Sequence, residues 1–236
     1  MIRLVLVLYL AQQPEEGMRH LREALTHSEQ GRHEEALRAL EKAEKLLPAT
    51  FQLQYMLGEA YWSRSEFQKA RRHFEAAAKL DPRSAQAQFR LGYARQLLGD
   101  AAGARQALEA ALGLEPGLAL ANLSMGHLLA GEGRPGDALP FLERYAASRP
   151  EDLEARLAIA RILSQLERRE QAIAQLKAAQ NLSPEEKRIY YLLGQAYSAA
   201  GQAEPAREAF AAFSRLEAAE AARKRLGQSA PYLGAR

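Results

Sequence analysis

Residues 51–84 read FQLQYMLGEAYWSRSEFQKARRHFEAAAKLDPRS, and residues 85–118 read AQAQFRLGYARQLLGDAAGARQALEAALGLEPGL. Set one above the other, Leu57-Gly58 falls on Leu91-Gly92, Ala70 on Ala104, Phe74 on Leu108 and Pro82 on Pro116, a common step of 34 residues. The columns continue in both directions. Pro14, Pro48, Pro150 and Pro184 complete the proline column, and Ala36, Ala138, Ala172 and Ala206 complete the alanine column. Gly126, Ala160 and Gly194, with Ala24 ahead of them, complete the small column, and Leu40, Leu142, Leu176 and Phe210 complete the large one. So many columns in one register define an internal repeat.

With Gly58 as position 8, the repeats are 17–50, 51–84, 85–118, 119–152, 153–186 and 187–220. Each holds two amphipathic stretches of about 13 residues, parted near position 15 by Gly31, Gly99, Gly133 or Gly201, which predicts a helical hairpin. Small residues at positions 8 and 20 mark where the two helices cross. Proline at position 32 ends the second helix. Thr50, Ser84 and Asp152 stand as N-caps of the following first helix, and Ser183-Pro184-Glu185-Glu186 reads as a capping box with proline at the first helical position. Pro140 falls inside a second helix and predicts a local kink. After repeat six the column fails at Ala218, so the last helix runs on, or a capping helix covers the end, until Gly227 breaks it, leaving 227–236 as a tail.

These columns resemble the tetratricopeptide repeat family over about residues 15–220. The resemblance implies an all-α, right-handed superhelical solenoid of antiparallel hairpins spanning 14–226, with the first helices lining a concave groove, and a role as an interaction scaffold. In repeat one Glu23 and His27 take slots that are apolar elsewhere, as a terminal repeat tolerates. By the family's geometry positions 2, 5, 9 and 12 face the groove. They supply Tyr55, Glu59, Trp62, Phe89, Tyr93 and Gln96 from repeats two and three, then Leu123, His127, Arg161, Tyr191 and Gln195 further on. The aromatic members present a rigid amphipathic surface for a partner; the alternative is that they fill gaps between hairpins. Of the slots used by the family's two-carboxylate clamp for a C-terminal carboxylate, Leu21, Leu25, Met56 and Gln86 do not fit and only Arg90 does. An extended or helical apolar segment is therefore the expected ligand.

Composition agrees with a folded, helical chain: 47% of the 236 residues are hydrophobic, 26% charged and only 7% aromatic. Thirty-two basic against 29 acidic residues give a net charge of +3 with no run of five or six like charges, the densest basic stretch being Arg223-Lys224-Arg225, which is too balanced for a dedicated nucleic-acid surface despite the basic isoelectric point. Without cysteine, disulfides, thiolate zinc sites and catalytic thiols are excluded. His20, Glu23 and His27 share a helical face, the one spacing that hints at a metal, but a solvated surface accounts for them better and no cofactor is expected. Asp residues sit near helix ends, and no catalytic constellation is present, so no enzymatic activity is expected. The sequons at Asn122 and Asn181 carry no weight, since Asn122 falls within a helix.

Met1-Ile2-Arg3 followed by apolar residues from Leu4 to Ala11 resembles a secretory signal with a short apolar core, although Tyr9 stands where a small residue suits a cut after Ala11. The other reading of 1–13 is an apolar leader packed on the first hairpin. The segment is too short to span a bilayer, and no later stretch is apolar enough. The functional expectation is a bacterial adaptor, periplasmic or extracellular if residues 1–11 are a signal and cytoplasmic otherwise. It holds another protein or peptide in its groove. A self-assembling structural solenoid is the alternative, and an RNA-binding helical repeat comes third.

Overall fold

In the computed structural model the backbone is described for residues 2–228 and the side chains for residues 15–224. Twelve α-helices and no strand occupy the described residues. They run in pairs: α1 (Ile2–Glu29) with α2 (His33–Leu46), α3 (Phe51–Ser63) with α4 (Phe67–Leu80), α5 (Ala85–Leu97) with α6 (Ala101–Leu114), α7 (Ala119–Gly131) with α8 (Pro135–Ser148), α9 (Leu153–Gln165) with α10 (Arg169–Leu182), and α11 (Lys187–Ala199) with α12 (Ala203–Gln228). Phe51, Ala85, Ala119, Leu153 and Lys187 open successive first helices at the 34-residue step. This is the all-α architecture of a helical-repeat solenoid. The chain divides within α7 into two compact units, Met1–Ser124 and Met125–Arg236.

The crossing inside a hairpin explains the small column. A Cβ built on Gly58 would lie 2.5 Å from the Phe74 ring, one on Gly92 2.9 Å from Leu108, one on Gly126 2.6 Å from Leu142 and one on Gly194 2.6 Å from Phe210. Phe74, Leu108 and Leu142 are fully buried, so a methyl at these crossings has no room to displace them. The alanine column lies under the same contact: Ala70, Ala104, Ala138 and Ala172 are all fully buried, and the Ala104 carbonyl would stand 3.1 Å from a Cβ on Gly92. In the first unit a core of Leu40, Leu53, Leu57, Phe74, Leu91 and their alanine neighbours runs from hairpin to hairpin. In the second unit Leu157, Ile173, Leu176, Ile189 and Leu193 build its counterpart.

Turns and caps follow local chemistry. Gly31, Gly99, Gly133 and Gly201 turn each hairpin with φ between 70° and 82°. In hairpins two and five Ser65 (φ 60°) and Glu167 (φ 58°) do the same without glycine, each at a cost of about 1 kcal/mol. Thr50 accepts from the Leu53 amide at 3.3 Å, Ser84 from Ala87 at 3.2 Å and Asp152 from Ala155 at 3.1 Å, as N-caps.

Several expectations are corrected. Ser183 closes α10 through its N–H to the Ala179 carbonyl, and Glu186 caps α11 by accepting from the Arg188 amide at 3.1 Å. The capping box therefore does not form, because Pro184 belongs to the inter-hairpin turn like the other prolines of its column. Pro14 is the exception in that column: it falls inside α1. Pro140 lies inside α8, as expected, and α12 runs on through Gly227 to Gln228 instead of breaking at the glycine. Of the expected tail, 229–236 lies outside the described residues, as do the side chains of the 1–13 leader. His20 is buried and not solvated; its Nδ1 lies 2.7 Å from Glu23 Oε2, while His27 accepts from Arg32 at 3.0 Å. Among the described residues no cluster is suited to a metal ion.

Behind the first unit's core a polar staple joins its first two hairpins. Gln54, nearly buried, donates to Glu44 at 3.1 Å, and its carbonyl lies 2.8 Å from His73 Nδ1. Tyr61 stacks on the His73 ring at 5.2 Å and donates to Glu41 at 2.7 Å. Burial holds the His73 imidazole below the usual histidine range, reinforced by Arg72 and Lys69 and opposed by Glu44. The unfolded chain thus binds a proton that the folded chain refuses, so this contribution to stability is complete above about pH 6.5 and is lost as the pH falls. The thermal midpoint should fall between pH 7.5 and 5.5 by roughly 2 °C more than that of His73→Gln, which keeps a polar group and loses the titration; parallel profiles for the two proteins would exclude this role.

Candidate functional site

In the first unit, the inner-face positions of α3 and α5 bring most of the sequence-derived residues together. Tyr55 lies 5.8 Å from Phe74, and Trp62 lies 5.0 Å from both Phe67 and Tyr93. Phe89 stacks on Tyr93 at 5.9 Å with the rings 8° from parallel. These rings are not equally available. Phe89 is buried, so it is core rather than contact surface, and Trp62 and Tyr55 are half-buried, whereas Tyr93 is 38% exposed. The packing reading holds for Phe89, while Tyr93 stays exposed on top of the buried rings.

Glu59 and Arg90 form an ion pair between α3 and α5, with 2.6 Å from Arg90 Nε to Glu59 Oε1 and a hydrogen bond from Nη2 to Oε2 at 2.9 Å. Burial raises the Glu59 carboxyl above the usual range, and Arg90 together with the Tyr55 hydroxyl pulls it back. The same burial pushes the Tyr55 phenol up. Arg90, the single match to the clamp slots, is thus already engaged. Gln96 donates to the Ser124 carbonyl at 3.4 Å, and Leu123 is half-buried. Asn122, which carries one of the sequons, is buried and donates to the Pro116 carbonyl at 2.9 Å and the Leu118 carbonyl at 3.1 Å, closing the turn into α7.

Beside Tyr55 an open gap of about 400 Å³ separates the first hairpin from α3. Ala24, Ala36, Leu40, Met56 and Ala60 give it an apolar floor, with His33 and Glu59 among its polar lining. A gap of about 360 Å³ occurs in the second unit between α9, α10 and α11, lined by Arg161, Gln195, Ala196 and Ala199 among others. Small residues at positions 10 and 13, Ala60 and Ser63 in one gap and Ala196 and Ala199 in the other, leave room in both. That pairing was open to sequence reading and marks lining residues the groove pattern missed, such as Met56, Arg169 and Leu192. Tyr191, 44% exposed, rests on Phe213 at 5.5 Å and accepts from Gln195 Nε2 at 3.0 Å, while His127 and Arg161 are exposed.

Tetratricopeptide repeat models match residues 21–71, 55–119 and 157–214, and a second model of the same description matches 129–182. No curated protein sequence matches the chain. Solved structures of similar fold include MamA from Desulfovibrio magneticus RS-1, at 24% identity and TM-score 0.66, covering 72% of this chain and 96% of that one. A second is YrrB, described as a TPR protein with an unusual peptide-binding site, at 22% identity and TM-score 0.71, covering 77% and 93%. PilF of Pseudomonas aeruginosa is similar at 17% identity and TM-score 0.67, covering 86% and 93%. At these identities the likeness establishes the fold.

Proposed function

The chain belongs to the tetratricopeptide repeat family, and from that membership we propose that it is a non-catalytic adaptor that grips an apolar segment of another protein on the inner face of its first unit. The observation that carries the reading is the aromatic bed of α3 and α5, where buried Phe74 and Phe89 brace half-buried Trp62 and exposed Tyr93, while Tyr55 on α3 lines the apolar-floored gap. Rings fixed before binding lose little conformational freedom on contact, which is the property of an anchoring surface. The description of YrrB as peptide-binding is in line with this use of the fold.

Nucleic acid is a poorer fit. Arg64, Arg71, Arg90, Arg95, Arg134 and Arg188 all lie against carboxylates, so much of the positive charge is neutralised within the chain. No helix among the described residues is long and apolar enough to cross a membrane. We retain export from a bacterial cytoplasm as part of the proposal, on the pattern of residues 1–11; recovery of a mature chain beginning at Met1 or Ile2 on N-terminal sequencing would contradict it.

Tyr93→Ala is the clean test of the surface, because Trp62 also packs on Phe67 and Phe74 and its loss disturbs the core. In crosslinking pull-downs from the native host, Tyr93→Ala should lower recovery of the partner about tenfold or more with little change in thermal midpoint. Undiminished recovery would remove this face from the function.

A further inference from the structure

The two gaps lie at corresponding places in their hairpins but differ in charge. In the first unit the position 9 residue is Glu59, whose carboxylate is taken up by Arg90. At the corresponding place in the second gap, position 9 of α11, stands the neutral Gln195, and the charge comes instead from Arg161 on α9. Arg161 is exposed, lines the gap between α9, α10 and α11, and makes no ion pair or hydrogen bond among the described residues. Arg169, at the first turn of α10, is the other charged residue of the lining, and no carboxylate lines the gap. Its guanidinium touches Glu167 at 3.2 Å, a contact to a side chain that is 79% exposed and therefore readily exchanged for a better one. The floor is aliphatic, formed by Leu192, Ala196 and Ala199.

Two guanidiniums over an aliphatic floor, with no acidic group of the chain's own between them, match a group having a carboxylate at the end of a hydrocarbon stem. We propose that this gap is a second contact site, which receives the acidic side chain of a glutamate or aspartate within a protein segment. The carboxylate meets Arg161 and Arg169, and the stem and neighbouring residues lie on Leu192 and Ala196. The Gln195 and Gln165 amides stand at the same gap as further polar contacts. The inference rests on the reading of the chain as a scaffold for protein segments, but not on the aromatic surface of the first unit. It adds charge selectivity that the first unit, with Glu59 already paired, does not offer.

The test uses the full chain and three N-acetylated probes read by NMR: acetyl-Leu-Glu-Leu-Leu-amide, the same peptide with glutamine for glutamate, and acetyl-Leu-Leu-Leu with a free C-terminal carboxylate. The Arg161 Nε–H and Gln195 side-chain amide signals report this gap alone, so a negative result here is distinguishable from failure of the Tyr93 surface. The expected result is that the glutamate peptide shifts both signals and binds roughly fivefold more tightly than its glutamine counterpart, as befits a partly exposed charge contact. Raised salt should narrow that ratio, and Arg161→Gln should abolish it. Equal affinity of the glutamate and glutamine peptides, unmoved Arg161 and Gln195 signals, or tighter binding of the free-carboxylate peptide would each overturn the proposal.

Discussion

The close approach of the two helices in each hairpin is the contact on which everything else depends. It is made by a residue without a side chain at position 8 meeting a large one at position 24, sixteen residues later. Gly58 with Phe74, Gly92 with Leu108, Gly126 with Leu142 and Gly194 with Phe210 repeat it, and any added Cβ would lie under 3.0 Å from the partner. Because the large side chain fills the place of the missing one, the hairpin closes on a well-packed seam with buried alanines on both sides. Hairpin five does the same with Ala160 and Leu176, both buried, which shows that the slot tolerates one methyl when the facing side chain is placed to admit it.

With each hairpin fixed, the first helices carry corresponding positions from repeat to repeat, and the chemistry of each surface is set by what occupies them. In the first unit those positions carry aromatic rings and an internally neutralised Glu59–Arg90 pair. In the second they carry Arg161, which has no ion pair among the described residues, and a tyrosine–glutamine pair at Tyr191 and Gln195. One scaffold therefore offers two chemically different surfaces without any change in backbone plan, as expected of a fold whose specificity lies in its exposed slots.

The repeat, the hairpin boundaries and the Thr50, Ser84 and Asp152 caps were legible because each depends on residues close in sequence or on a periodic column. The left-handed turns at Ser65 and Glu167 were not, since the geometry of the hairpin imposes there what glycine would otherwise announce. The Ser183–Glu186 stretch misled because a local motif competed with the period, and the period won. Pairs such as Glu59–Arg90, 31 residues apart across two hairpins, and His73–Gln54, 19 apart across the two helices of one hairpin, become visible only once the helices are packed. The aromatic residues were found by position, but which of them stay accessible depends on packing. Phe89 vanishes into the core because its neighbours leave it no path to solvent, while Tyr93, one turn on, emerges.

The direct test of the crossing is a double-mutant cycle on Gly126 and Leu142, read by denaturant unfolding. Gly126→Ala and Leu142→Ala should each destabilise, the second by about 2–5 kcal/mol through the cavity it leaves. If the two groups compete for one space, the double variant should lose less than the sum of the single losses, by roughly 0.5–3 kcal/mol, because the new methyl occupies part of that cavity. Strict additivity would mean that the missing side chain and the large one do not share the seam, and would contradict the account.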